Sequence, residues 1–290
     1  MPGQYLMEFL LEPLTYGYML RAMFGSAIVG AACAFLSCYL ILKGWSLMGD
    51  ALAHSVVPGV AIAYLAGFPY SIGAFISGAL AALGMNFAKR KTKLREDVII
   101  GLVFTGFFAA GLLLVSVNPT AVNVQSIILG NILAISDADI IQVILIAGIS
   151  VLLLAIKWQD LAVVFFDETH ARAIGLNSGL LKVMFFTLLS ACTVAALQTV
   201  GACLVIAMVI TPGATAYLLT DRFGKMIILS MVISVVACIV GAYLSYFLDG
   251  ATGGLIVMLQ TAIFLAAWIF SPKHGLLTAR RKIKRSEVAN

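Results

Sequence analysis

The residues best placed to do chemistry lie in Gly49-Asp50-Ala51-Leu52-Ala53-His54-Ser55-Val56-Val57-Pro58-Gly59, a carboxylate and an imidazole set into a long apolar run. Asp50 and His54 are spaced i, i+4, so a helix here stacks both side chains on one face, one turn apart. Carboxylate oxygen together with imidazole nitrogen suits a divalent first-row metal such as manganese, iron or zinc better than sodium, which prefers oxygen alone. An ionisable group at membrane depth is costly and marks a pathway or a site by default. A second reading is equally open on residue chemistry: Asp50 as a helix N-cap at the membrane surface, with His54 a packing residue in the next turn. The depth of Asp50 decides between them, and sequence does not give it.

The elements that must position this pair are membrane helices. The chain has 290 residues, 62% hydrophobic and 11% charged, with a mean hydropathy of +1.08. A soluble domain carries about 25% charged residues. Apolar runs of about 20 residues in lipid must satisfy their backbone internally, and alternating barrel strands are not evident, so the fold class is all-α, a polytopic transmembrane helical bundle of about nine spans (eight to ten). The expected domain is single, 1–290: a surface segment over 1–18, the bundle over 19–270, and a basic cytoplasmic tail over 271–290.

The net charge of +5 does not point to nucleic acid. Ten of the 18 basic residues fall in two clusters, Lys89 to Arg95 and Arg280 to Arg285, each flanking an apolar run. That is the pattern of cytoplasmic segments, and it places the C-terminus in the cytoplasm and, for nine spans, the N-terminus outside. Cys33, Cys38, Cys192, Cys203 and Cys238 are scattered among apolar residues without CxxC spacing and read as small core residues. The N-terminal stretch, with Glu8 and Glu12, lacks the basic start of a secretory signal.

Spans are expected over about 19–42, 46–66, 70–88, 98–117, 140–156, 180–198, 200–219, 226–248 and 254–270. Pro58-Gly59 interrupts the second and Pro212-Gly213 the seventh, and broken helices present backbone and side chains to ions in transporters. Gly73, Ser77, Gly78, Ala81 and Ala82 in the third span allow close helix approach. Residues 121–139 mix Asn123, Gln125, Ser126, Asn131, Asp137 and Asp139 with apolar positions and contain no Lys or Arg, which favours the outer side. Between the fifth and sixth spans, Asp167 to Asn177 reads as a short amphipathic helix: Asp167 and Glu168 first, Arg172 later, Gly175 at the end, as the helix dipole and C-cap preferences require. It is placed to meet a soluble partner, although a solvated loop fits the composition equally. His170 and His274 fall in polar segments. Gln125, Gln198, Gln260, Met208 and Met258 could line a path, with packing the favoured role.

There is no G-x-x-x-x-G-K-[ST], H-E-x-x-H or G-x-S-x-G in the chain, which removes the phosphate-cradling loop and the common hydrolase signatures. Leu248-Asp249-Gly250 reads as a turn between helices.

Four separated stretches carry a resemblance: Leu47 to Gly59, Glu96-Asp97-Val98-Ile99-Ile100-Gly101, Gly130-Asn131-Ile132-Leu133, and Val200-Gly201-Ala202 through Thr211-Pro212-Gly213-Ala214-Thr215-Ala216. In this order, from about Leu14 to Phe270, the chain resembles the membrane (permease) subunits of ABC importers for manganese, iron and zinc, with details like the manganese/iron (chelated iron) permeases of Gram-negative bacteria. The resemblance implies a multi-pass subunit of the bacterial inner membrane that is not itself an enzyme. Its implied partners are a second permease subunit of the same or a related chain, cytoplasmic ATP-binding subunits that hydrolyse ATP, and a periplasmic or surface metal-binding protein, besides membrane lipid. No cofactor is expected on this chain; the cargo is Mn2+ or Fe2+, with zinc as the alternative. Asp50 and His54 match the metal-contacting pair, which tips the balance toward metal contact. Asp167, Glu168, Arg172 and Gly175 fall in the segment that inserts into a groove on the ATPase, so charge reversal at Glu168 or Arg172 is expected to disturb ATPase assembly. Two subunits facing each other would bring two Asp/His pairs, four ligands, to a shared axis. Conduction needs such a site to bind well enough to fill and weakly enough to empty.

Overall fold

The computed structural model describes residues 2–45, 47–117 and 137–271. The Gly130-Asn131-Ile132-Leu133 stretch, Gln125, His274, the rest of the basic tail and most of the 121–139 segment lie outside the described residues, as do the side chains of Gln198 and Cys203.

Every regular element among the described residues is helical. In chain order they are α1 (Pro2–Thr15), α2 (Gly17–Lys43), α3 (Met48–Ser55), α4 (Val57–Ala66), α5 (Tyr70–Lys91), α6 (Glu96–Val117), α7 (Asp137–Phe166), α8 (Glu168–Ala173), α9 (Ser178–Val200), α10 (Ala202–Leu219), α11 (Phe223–Leu248) and α12 (Thr252–Phe270). With α3 and α4 counted together, eight helical units are long and apolar enough to cross a membrane, and α10 adds the shorter apolar stretch Leu204–Leu219.

α2 is the central post. It is apolar on all sides, as a helix buried on all sides should be, and packs against α7, α9, α10 and α11. Small residues bring the neighbours close. A Cβ added at Gly30 would lie 2.8 Å from Ser234 Oγ and 2.9 Å from Cys238 Sγ. Ser230 Oγ of α11 donates to Ala34 O at 3.0 Å. Such interhelical bonds contribute about 0.6 kcal/mol each. At its lower end Tyr39, fully buried, packs its ring against Phe165, Phe185 and Phe223 and donates its hydroxyl to Trp158 O at 3.0 Å.

Two expectations are revised, and a helix is added in the N-terminal segment. Pro212-Gly213 does not break its helix: α10 runs continuously through Pro212. Ser37 of α2 braces the helix at this step, its Oγ donating to Ile210 O at 3.1 Å and accepting from Gly213 N at 3.2 Å. A Cβ at Gly213 would fall 2.3 Å from that Oγ, so the Pro-Gly step is an interhelical contact and not a cavity wall. The fifth span does not stop at Ile156, because α7 continues to Phe166 with Lys157 Nζ pairing Asp160 Oδ2 at 2.9 Å across one turn. The first 18 residues contain a helix, α1, despite Pro13. It docks through Leu10 O, which accepts from Tyr243 at 2.7 Å, and through Phe9 against Phe247.

The ends of the bundle sort by contact. Lys43 at the end of α2 donates to Phe165 O of α7 at 3.1 Å, Phe166 meets Phe223 at the start of α11, and Ser271 donates to Leu218 O of α10. α8 and the end of α12 therefore share one end of the bundle, while α1, Tyr16, Tyr246 and Phe247 mark the other. Asp249 at φ 45° turns the chain between α11 and α12, as Leu248-Asp249-Gly250 suggests.

Candidate functional site

The helix bearing Asp50 begins at Met48, and its N-cap position is Leu47, which makes no side-chain cap bond. Asp50 therefore sits inside the first turn and is not the cap. His54 Nε2 lies 3.2 Å from Asp50 Oδ1, with side-chain exposures of 27% for the imidazole and 39% for the carboxylate. Their neighbours Met48, Gly49, Ala51, Leu52, Ala53 and Ser55 are buried, so α3 turns its apolar side into the bundle and leaves the pair on an open face.

Contacts of the residues around the pair set its place along the neighbouring helices. A Cβ at Gly49 would lie 2.8 Å from Val209 Cγ1, and Val209 is midway along α10. The His54 ring meets Phe104 and Phe108 of α6 at centroid distances of 5.6 and 5.4 Å, again midway along that helix. The pair lies at mid-bundle.

The span holding it is divided at Val56, where α3 ends and α4 begins with Pro58 in its first turn, one step before the Pro58-Gly59 interruption expected. Two helices clamp the joint. Ser77 Oγ of α5 donates to Ser55 O at 2.7 Å. Gly59 and Gly73 meet back to back, since a Cβ on either would lie 2.0 or 2.2 Å from the other's carbonyl oxygen. On the other side, a Cβ at Gly111 of α6 would reach within 2.9 Å of Pro58 N. The ligand helix is thus a short lever with a fixed heel.

The donor set fits a first-row divalent ion. Two atoms 3.2 Å apart, each about 2.1 Å from a common ion, subtend roughly 100° at it, between the octahedral and tetrahedral angles. Among the described residues no group of three or more His, Cys, Asp or Glu side chains could hold a metal. The described residues bring together two candidate donor atoms, Asp50 Oδ1 and His54 Nε2. Phe104 and Phe108 were missed by sequence reasoning; their own i, i+4 spacing on a span following the Asp/His pair is the signal that points to them.

The other candidate segment also folds as expected. Asp167 is the N-cap of α8, its carboxylate accepting from Thr169 N at 2.8 Å and His170 N at 3.1 Å. Gly175, at φ +83°, ends it where a left-handed residue is required. Glu168 lies within a network: Oε1 accepts from Arg172 at 2.6 Å and from Ser178 Oγ at 3.3 Å, and Oε2 pairs with Lys182 of α9. Partial burial pushes the Glu168 carboxyl upward, but the bonds and charges of Lys182 and Arg172 outweigh it and hold the group at about 2. Sequence analysis does not single out Lys182; a lysine inside an apolar helix, 14 positions after Glu168, is the signal for this pair. Thr169, His170, Ala173 and Ile174 form the exposed face of α8.

The remaining candidates disperse. Met208 is fully buried in the core and Met258 is 71% exposed. Gln260 is buried with neither amide atom bonded. Cys33, Cys38, Cys192 and Cys238 are buried free thiols.

A multi-pass helical membrane protein with an acid/imidazole pair at mid-depth and a polar helix at one end belongs to the class of membrane transport proteins. The sequence matches the ABC 3 transport family over residues 15–271, and the chain belongs to that family. It is 63% identical over 96% of its length, and 95% of the relative's, to the chelated iron transport system membrane protein YfeC of Yersinia pestis. It is 50% identical over 96% of its length, and 91% of the relative's, to the manganese transport system membrane protein MntB of Synechocystis sp.. The structure of PsaBC from Streptococcus pneumoniae in complex with Fab is similar at a TM-score of 0.82 and 32% identity, covering 97% of this chain and all of that one.

Proposed function

We propose that this chain is the membrane-spanning permease subunit of an ATP-driven importer that carries Mn2+ or Fe2+ across the bacterial inner membrane. The observation that carries the reading is the Asp50–His54 pair, 3.2 Å apart at mid-bundle on an open face. Two ligands are too few to strip a hydrated divalent ion, so a second permease subunit, of the same or a related chain, supplies the facing half. The relatives' names, chelated iron and manganese, favour those cargoes over zinc, although the ligand set alone would accept zinc.

The cytoplasmic ATP-binding subunit meets the end of the bundle that carries α8. Asp167, Glu168, Arg172 and Gly175 build that helix, and its face of Thr169, His170, Ala173 and Ile174 enters the partner's groove. The external metal-binding protein docks at the opposite end, near α1, and the C-terminal tail lies in the cytoplasm as its basic charge favours. ATP-driven closure moves α8 and parts the ligand helices, releasing metal inward. The differential binding required is about 1–3 kcal/mol.

Uptake of radiolabelled Mn, Fe and Zn, in cells stripped of other importers and expressing the chain with its operon partners, tests this directly. Wild type should accumulate Mn or Fe over Zn, and Asp50→Ala and His54→Ala at matched membrane levels should each lose uptake. Normal transport by both variants would return the pair to a packing role.

A further inference from the structure

We infer that the Glu168–Lys182 ion pair is an internal strut that passes displacement of α8 into α9 and from there to the ligand helix α3. The inference rests on the proposed role of α8 as the ATPase-docking helix and goes beyond it by assigning positioning residues that touch neither ATPase nor metal.

Three observations carry it. A helix of six residues has almost no stability of its own, so α8 moves as a body only if fastened. Among its described side chains, Ala171 is the buried one, so apolar packing fastens it weakly. The Glu168 carboxylate does the rest, engaging Arg172 on its own helix and Ser178 and Lys182 on α9.

The Lys182 side chain is only 9% exposed, with Lys43 and Lys89 adding positive charge nearby. Lys89 already has Glu96 and Lys43 holds a carbonyl. Glu168 is therefore the carboxylate that offsets Lys182. A nearly buried charge left without its partner is strongly unfavourable, so the pair holds α8 and α9 in one register.

The path onward is contiguous. One turn beyond Lys182, Phe185 packs against Tyr39 and Phe165. Phe186 stacks on Trp45 at 5.7 Å with planes 22° apart. Trp45 stands in the link between α2 and α3, and its backbone carbonyl accepts from Met48 N, the first residue of the ligand helix, at 3.1 Å. Movement of α9 along its axis thus bears on the start of the helix that carries Asp50.

The experiment uses the assembled transporter. Glu168→Gln, Lys182→Met and the exchanged pair Glu168→Lys/Lys182→Glu are compared for co-purification of the ATPase subunit and for metal uptake per assembled complex. Asp160→Asn, in the exposed Lys157–Asp160 pair, serves as the control. A photo-reactive phenylalanine analogue at position 170 reports whether α8 meets the ATPase. The single variants, which neutralise a charge without reversing it, should keep the ATPase and the crosslink while uptake falls about tenfold, and the exchange, which re-forms the pairing that charge reversal at Glu168 alone would break, should restore uptake to within about threefold of wild type, a coupling of ordinary size. Wild-type uptake by Lys182→Met, or an exchanged pair as inactive as the singles, overturns the strut. Loss of ATPase from the singles at normal membrane levels also overturns it, since the pair would then act in docking. Absence of the crosslink in an otherwise wild-type chain overturns the docking role of α8 itself.

Discussion

Asp50 with His54 and Glu168 with Arg172 are built from one piece of helix grammar, an acid followed by a basic residue four positions later. Their surroundings separate them. Among the described residues Asp50 has one charged partner, His54 at 3.2 Å, whereas the Glu168 carboxylate engages Arg172, Ser178 and Lys182 at one end. On the proposed function, a carboxylate with acceptor capacity to spare is the one that meets cargo. A carboxylate with its capacity taken up is a fastening, and what it holds is its own chain. The same spacing therefore reads as chemistry in one place and as structure in the other, and the difference lies in the third and fourth partners, which spacing does not report.

The sharpest way to break this comparison is to neutralise each acid without changing its size. Asp50→Asn removes a ligand charge from the translocation site and should lower uptake about a hundredfold or more, comparable to two or more factors of ten at 1.4 kcal/mol each. Glu168→Gln keeps part of the hydrogen bonding and should cost only about tenfold. Uptake by both variants at matched expression checks the order. Equal losses would mean that the two acids do one job.

A second, smaller effect runs the other way. Removing Glu168 strands the nearly buried Lys182, so Glu168→Ala should lower the unfolding free energy by about 2 kcal/mol, less than for a fully buried pair because Glu168 is partly exposed. Asp50→Ala removes one partly exposed ion pair with His54 and should change stability by under about 0.5 kcal/mol. Thermal unfolding of the detergent-solubilised complexes, read beside uptake, should therefore show one variant inactive but stable and the other destabilised with uptake only partly lost.

Much of this was legible before any coordinates. Membrane helices announce themselves through length and composition, and short polar segments through charge order, so the spans and the Asp167-to-Gly175 helix stand close to where the sequence places them. The Asp/His pair was legible as well, because ionisable groups are scarce in such runs. What could not be read is what depends on neighbours distant in the chain. Pro212-Gly213 looks like a helix break until Ser37 of α2 braces it. Asp50 could be a cap until its helix is found to begin at Met48, with Leu47 in the cap position. Lys182 looks like a span-end charge until Glu168 reaches it.

The smallest expected effect concerns pH, and it divides the two acids again. Bonds from Lys182 and Arg172 hold the Glu168 carboxyl at about 2, below the value of about 4.3 for an unfolded chain. A depressed acid contributes stability that is fully present above the unfolded value and is lost as pH falls from there through about 2. Between pH 5 and 8 the attachment of α8 should thus be flat, and ATPase co-purification should change by less than about 20% across that window. Asp50 has no part in this attachment, so Asp50→Asn should leave ATPase co-purification unchanged across the same window. Loss of ATPase from the wild type between pH 8 and 5 would place a proton-sensitive contact at the α8 end and remove Glu168 as its fastening.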